Sequence, residues 1–280
     1  MHRKGFFYCL FFSLLSWLAF AQQTDIEVIK SRVYNAITSN YIDSDAPALI
    51  ASFDGEVKII LSEFDGEKWP YIHYEDVSRE GFDNTIHLYN LLKIAVAYKS
   101  PQSQYFNKKS LFKNIEKGLN FWCDEDFVGE NWWNNQIGTP STLVNLMLMV
   151  GDELPSDLVR RSQKIINRAD INKGGSRPGG DRIKVSSIAA KNQLFLNDSS
   201  QFNLIIDIIA QEVKFVDWIG SEFGYTYSKA DTGGFKEFHK ANGRGLQYDN
   251  SFHHRTDGVN NTLSYGLGWS SAFVEWAHYV

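Results

Sequence analysis

The chain has 280 residues, a formal net charge of -5 and an aromatic content of 15%. That mildly acidic balance argues against nucleic acid as a partner. Of the two cysteines, Cys9 lies in a segment expected to be removed, which leaves Cys123 alone. Neither an intramolecular disulfide nor a Cys-rich zinc site is therefore expected.

His2, Arg3 and Lys4 precede an apolar run over residues 6–20 and the small-x-small pattern Ala19-Phe20-Ala21. The run is too short to span a bilayer comfortably. Residues 1–21 read as a secretory signal peptide, so the mature chain is expected to begin at Gln22 and to be exported, extracellular or periplasmic. No later stretch reads as a membrane span. Residues 22–280 hold no low-complexity linker and read as one domain.

The pattern that follows is mostly helical. Ile26, Ile29, Val33 and Ile37 recur near a 3.6-residue period. Residues 52–83, with Trp69, Tyr71, His73 and Tyr74, read as an aromatic loop. Ile86, Leu91, Ile94 and Ala97 mark a helix over 85–98, and Leu111, Ile115, Leu119 and Trp122 another. Cys123, beside Trp122, reads as a buried structural thiol. Thr139 is placed to cap a helix with Pro140 in its first turn and Leu143, Leu146 and Met147 inward. Ser156 is placed to cap the next, which turns Leu158, Ile165 and Ile166 inward. A loop with four glycines over 172–181 leads to helices at 182–196 and 202–218. Residues 220–255 show no helical period, and a last helix over 262–279 carries Leu263, Leu267, Val274 and Ala277. Helices alternating with long loops predict an all-α fold, with antiparallel pairs stacked around an axis and the loops at one end.

Two segments carry chemistry. The first is Asn131-Trp132-Trp133-Asn134-Asn135-Gln136-Ile137-Gly138-Thr139-Pro140. Adjacent residues on a helix diverge by about 100°, so one core pocket rarely takes both rings. Flat rings beside amides suit a carbohydrate, whose C–H faces stack on aromatics while its hydroxyls pair with amides. A core Trp pair at a helix start fits the spacing equally well. The second segment runs from Gly243 to Arg255 and on to Gly266. It brings His253, His254, Arg244, Arg255, Asp249 and Tyr265 together. Adjacent histidines are a poor zinc pair, whereas His, Tyr and Arg suit acid–base work beside a carboxylate. The alternative is a solvated, hydrogen-bonded loop. No Gly-x-Ser-x-Gly elbow or phosphate loop is present, and no carboxylate pair stands out as a glycosidase acid and base.

Three ordered blocks carry a family resemblance. They are Trp69-Pro70 with Tyr74, Ser78-Arg79 and His87-Leu88; then Asn131-Trp132-Trp133 with Ile137-Gly138-Thr139-Pro140; then Gly245-Leu246-Gln247, Asp249, Ser251-Phe252 and Tyr265-Gly266. Together they resemble the N-terminal catalytic domain of family 8 polysaccharide lyases, the hyaluronate, chondroitin and xanthan lyases. The resemblance implies an incomplete α/α toroid with a long cleft. It also implies a C-terminally truncated chain, since members continue into β-sandwich domains. The implied reaction is β-elimination at a uronic acid of an acidic polysaccharide. An Asn and a His neutralise the carboxylate, while a Tyr takes the C5 proton and protonates the leaving oxygen.

Tyr265, followed by Gly266, matches the family Tyr-Gly and is assigned as base and acid. The family His position, six residues after Asp249, falls on Arg255. A short local shift brings His254 there, with Arg255 as a carboxylate or sulfate clamp. The family Gly-Asn aligns with Gly180-Asp181. Asp181 then stands in for the Asn, orients His254 or Arg182, or caps the helix after it. Asn131, Trp132, Trp133, Asn135, His253 and Arg182 complete the substrate-binding set, with Asn134 a further amide candidate. No cofactor is required; a cation near Asp181 is compatible, but no ligand spacing demands one. The expected unit is a monomer on an acidic polysaccharide. The competing readings are a non-catalytic polysaccharide-binding toroid and a toroid glycoside hydrolase.

Overall fold

The computed structural model describes residues 25–42, 46–173, 176, 179–215, 229–232, 235–238, 244–247, 249–254 and 260–280, the stretch 229–238 by its backbone only. The proposed signal segment and Arg255 lie outside these residues.

Nine α-helices are described: α1 (residues 25–39), α2 (Pro47–Ser62), α3 (Thr85–Lys99), α4 (Lys109–Glu125), α5 (Thr139–Val150), α6 (Ser156–Ile166), α7 (Gly180–Leu196), α8 (Ser199–Glu212) and α9 (Leu267–Tyr279). Two hairpins, β1 (Lys229–Thr232) with β2 (Phe235–Phe238) and β3 (Gly245–Leu246) with β4 (Phe252–His253), lie between α8 and α9. Burial separates the helices into two rings. α4 buries one stripe, Leu111, Ile115, Leu119 and Trp122, and α6 buries Leu158, Ser162, Ile165 and Ile166. Those are amphipathic helices with a wet outer face. α3 and α5 are buried nearly all round, so they form the inner layer.

Cross-contacts give the directions. Tyr98 Oη near the end of α3 donates to Glu153, just past the end of α5, at 2.8 Å. Trp269 approaches Gly180 at the start of α7, and Trp276 Nε1, two turns on, donates to Ser187 Oγ at 2.8 Å. α3, α5, α7 and α9 therefore run parallel as an inner ring. α4 runs antiparallel to α3: its Gly118 meets His87 in the first turn of α3, and Phe112 meets Tyr98 near the end. α1 packs at the C-terminal end of the inner ring, where Arg32 donates to the Tyr279 carbonyl at 2.8 Å and Lys30 pairs with Asp152 at 3.8 Å. The result is the all-α, incomplete α/α toroid.

Several local expectations are corrected. The loop expected over residues 52–83 starts only after Ser62, because Pro47–Ser62 form a helix with Phe53, Val57 and Ile60 buried at helical spacing. Asp54 and Gly55 obscure that spacing. Asp54 turns inward, where it accepts from Ser103 Oγ at 2.5 Å and Gln104 N–H at 2.9 Å. Thr139 is not a cap: helix begins at Trp132, passes through a π turn at Asn134–Gly138 and runs unbroken into α5. The cap is Asn131, whose Oδ1 accepts the Trp133 N–H at 3.1 Å. Pro155, not Ser156, occupies the cap of α6, and α8 ends at Glu212 after Asp198 caps its start.

The Trp69 block is a core node. Trp69 Nε1 donates to the Ile60 carbonyl at 2.8 Å, and its N–H donates to Tyr74 Oη at 3.2 Å. His87 Nε2 lies 2.8 Å from the Gly118 carbonyl, which can only accept. The proton therefore sits on Nε2, and Tyr74 O–H donates to Nδ1 at 2.9 Å. Burial drives His87 down to about 4 and Tyr74 up to about 12. The block staples α2, α3 and α4 together rather than facing a ligand.

Candidate active site

Both chemical segments end in the same local device. The π turn Asn134–Gly138 leads into α5, and a second π turn, Thr262–Gly266, leads into α9. π turns insert a residue into a helix and are common where a side chain must be re-aimed. Each closes on a glycine held under a side chain: a methyl group on Gly138 would meet the Trp133 ring at 2.8 Å, and one on Gly266 would meet Phe252 Cβ at 3.1 Å. Because the inner helices are parallel, both turns and the start of α7 lie at one end of the toroid. The positive ends of several helix dipoles point there as well.

The Trp pair splits. Trp132 packs against the core, while Trp133 is 38% exposed and lines a cavity. Trp132 is thus the core partner, and the sugar platform narrows to Trp133. Asn131 serves as the cap described above. Asn135 is committed to structure: its amide accepts the Gly129 N–H at 2.9 Å and donates to the Gly129 carbonyl at 2.7 Å. Asn134 is half-buried on the π turn.

The second segment forms the chemical end. The rings of His254 and Tyr265 stack with centroids 3.8 Å apart and planes 5° from parallel. Tyr265 is 52% exposed. Trp269 packs on Phe252, with ring centroids 4.9 Å apart and planes tilted by 31°. Residues 260–262 hold the pair in register. Asn261 Oδ1 accepts the His254 N–H at 3.2 Å, the Asn261 N–H reaches the Phe252 carbonyl at 2.8 Å, and Thr262 Oγ1 accepts the Phe252 N–H at 2.8 Å. His253 points elsewhere, with Nε2 3.2 Å from Ser251 Oγ, which donates to Asp249 at 2.7 Å. Those bonds hold the Asp249 carboxyl below its ordinary range.

α7 brings the third part. A methyl group on Gly180 would stand 3.9 Å from the Tyr265 carbonyl oxygen. That places Gly180, the residue before Asp181, against the Tyr265 turn. Asp181 is buried in the first turn of α7, and the cap is Gly179, so Asp181 is not the cap. Arg182 is buried and pairs with Glu212 at 3.5 Å, and Glu212 also accepts the Gly179 N–H at 2.6 Å. Burial lowers the Arg182 guanidinium, and the Glu212 carboxylate opposes that shift. Arg182 thus anchors α7 instead of facing a substrate. Glu212 escaped sequence reading because nothing in a helix-ending Gln-Glu announces an ion pair 30 residues away in the chain. Asn261 carried a weak signal, as an Asn-Asn-Thr run just before the candidate Tyr.

A cavity of about 350 Å³ lies between residues of α3, α5, α7 and α9. Trp133, Gly138 and Lys184 line it, and Asn145, Lys191 and Glu275 line it further along their helices. Among the described residues, no group of three or more His, Cys, Asp or Glu side chains is placed to hold a metal. No described helix is long and apolar enough to cross a membrane.

Comparison with known proteins fits this architecture. The chondroitinase-AC of Pedobacter heparinus is 28% identical over 232 residues, which is 80% of this chain and 32% of that protein. A solved structure of a chondroitinase AC lyase superimposes with a TM-score of 0.73 at 21% identity, over 91% of this chain and 33% of the other. A Paenibacillus xanthan lyase gives a TM-score of 0.64 at 20% identity, over 91% and 22%. The chain thus spans about a third of the length of the curated relative. The model for the N-terminal α-helical domain of polysaccharide lyase family 8 matches residues 43–218, from the foot of α2 to just beyond α8. That stretch is most of the toroid and holds both Trp133 and Asp181, so the chain belongs to polysaccharide lyase family 8.

Proposed function

We propose that the protein is an exported lyase that cleaves a uronic-acid-containing polysaccharide, a glycosaminoglycan such as chondroitin or hyaluronan, by β-elimination. The observation that carries the reading is the stacked His254–Tyr265 pair, whose backbone turn meets Gly180 at the start of α7, at the toroid end that also carries the Trp133 turn. Trp133 stacks on a sugar ring and sets the chain in register. His254, joined by Arg255, neutralises the uronate carboxylate, so the charge that develops when C5 loses its proton is delocalised into a compensated group. Tyr265 Oη takes that proton and returns one to the glycosidic oxygen on C4, which leaves a C4=C5 double bond. No cofactor enters any of these steps. The N-terminal basic and apolar run accounts for export.

The test is the ultraviolet absorbance of the conjugated unsaturated uronate when the protein, expressed with any downstream gene sequence, meets chondroitin or hyaluronan. No rise with either polymer, or with xanthan, sinks the reading. Tyr265→Phe keeps the ring stack and removes the proton carrier; a loss of about 10²-fold or more in kcat is expected. Full rate in that variant removes Tyr265 from the chemistry.

One observation favours a second reading. Asp181 stands where the family carries an amide, and an acid beside a uronate would repel it. A toroid that grips the polymer through Trp133 without cutting it would show binding, lost in Trp133→Ala, and no absorbance change.

A further inference from the structure

The first two turns of α7 hold an ammonium that the steps above leave unused. Gly180 touches the Tyr265 turn: a methyl group on it would stand 3.9 Å from the Tyr265 carbonyl oxygen and 3.9 Å from Trp269 Cβ. Further along α7, Ser187 Oγ accepts from Trp276 Nε1 at 2.8 Å. Lys184 lies between them on the same α9-facing stripe, four residues after Gly180 and three after Asp181. Parallel helices in register would set its Cα about one turn past the Gly180 contact. Its Nζ instead reaches back to Gly268, where an added methyl group would stand 3.8 Å from it. Side chains on a helix lean toward its N-terminus, which for α7 is the end that meets the Tyr265 turn. Gly268 and Tyr265 are i, i+3 neighbours on a helical face, about 5–6 Å apart at Cβ. Lys184 also lines the cavity with Trp133 and Gly138. It is half-buried, and among the described residues it makes no hydrogen bond or ion pair, with Asp181, Glu275 or any other group. Arg182, the cation before it on α7, is committed to Glu212. An ammonium drawn partly out of water without a protein anion is an open place for one.

We propose that Lys184 is a catalytic residue of the elimination: its ammonium holds the uronate carboxylate and offsets the Asp181 carboxylate nearby. This assignment rests on the lyase reading and names a residue that answers the repulsion from Asp181. The chemistry asks for such a cation. As Tyr265 Oη removes the C5 proton, the C–H electron pair spreads into the carboxylate, which moves toward a doubly charged enediolate. That pair then forms the C4=C5 bond while the C4–O bond breaks. The bonding electrons leave on the glycosidic oxygen, which takes the proton back from Tyr265. No proton passes through Lys184; it acts by charge alone. An ammonium holds the carboxylate more strongly as its charge grows, so its effect falls on the transition state rather than on binding.

The test is the initial rate of unsaturated-uronate formation by the full chain, on whichever of chondroitin or hyaluronan wild type cleaves and on the methyl ester of the same polymer. Wild type is compared with Lys184→Met, which removes the charge at similar length, and Lys184→Arg, which keeps it. Lys184→Gln replaces the Met variant if that one does not melt cooperatively. Loss of the charge should lower kcat on the acid polymer about 10²-fold with a smaller change in KM, and Lys184→Arg should recover most of that rate. The ester carries no charge to hold, so its rate relative to the acid should rise from wild type to the uncharged variant. Full rate without the charge, an equal loss in Lys184→Arg, or an unchanged preference between acid and ester overturns the assignment. A wild type that forms no unsaturated uronate from any polymer loses the lyase reading and this assignment together. A wild type that cuts, beside a Lys184→Met that cuts as well, loses only the assignment.

Discussion

At the scale of single residues, His254 and His87 differ in burial and in partners. His254 lies against the half-exposed Tyr265, with ring centroids 3.8 Å apart. His87 is fully buried between Tyr74 and the Gly118 carbonyl, with its pKa near 4 against 6.5 for a free imidazole. The sign of the linkage follows. Above about 6.5 both folded and unfolded states hold the ring neutral, and the fold keeps its full stability. As pH falls from 6.5 toward 4, only the unfolded chain takes up the proton, so stability is lost across that window, on the order of 3 kcal/mol in all. Urea denaturation of wild type at stepped pH should show that slope, and His87→Gln should flatten it. The carboxyls of Asp65, Asp76 and Asp157, held below their ordinary range by hydrogen bonds, lose their contributions from the lower edge of that window downward, so the difference between wild type and His87→Gln isolates the histidine.

At the scale of elements, the start of α7 is the most constrained piece of the site. Its first turn carries Asp181, its entry passes through Gly179 at a φ of 92°, and its hold on α8 is the Arg182–Glu212 pair. Only glycine adopts that φ readily, so the approach to Tyr265 depends on a backbone that no side chain could replace. Glu212→Gln leaves the buried guanidinium without its carboxylate. A cost of about 3–5 kcal/mol is expected in equilibrium unfolding, with a partial return in the double variant Arg182→Met, Glu212→Leu, where both charges go together. Wild-type stability in the single variant would show that the pair is not a clasp. Elements with a clean apolar stripe, α1, α4 and α6, were legible in the sequence because their periodicity is their packing. α2 was hidden because Asp54, polar yet buried, occupies one of its inward positions and finds Ser103 only through tertiary contact.

At the scale of the whole molecule, a chain of net charge -5 turns the positive ends of several helix dipoles to one end. The parallel inner helices turn their N-termini to a single end, and Lys184 and Lys191 face the cavity beneath it. Affinity for an acidic polymer should therefore fall steeply with salt. Raising ionic strength from about 0.1 M to about 1 M shortens the screening length from about 10 Å to about 3 Å. Gel-shift or calorimetric binding across that range reads the effect, and salt-independent binding would mean that stacking on Trp133 dominates. By itself the sequence determined the helical class, the family blocks and the candidate pair of Tyr265 and His254, because periodicity and motif order are local properties of the chain. Only the tertiary structure decided which Trp of the pair reaches the cavity, that Asn135 and Arg182 anchor backbone and helix, that Glu212 clasps α7, and that Lys191 lines the same cavity. Those outcomes depend on which residue from a distant helix stands opposite. That is settled when the inner ring packs, and no spacing along the chain records it.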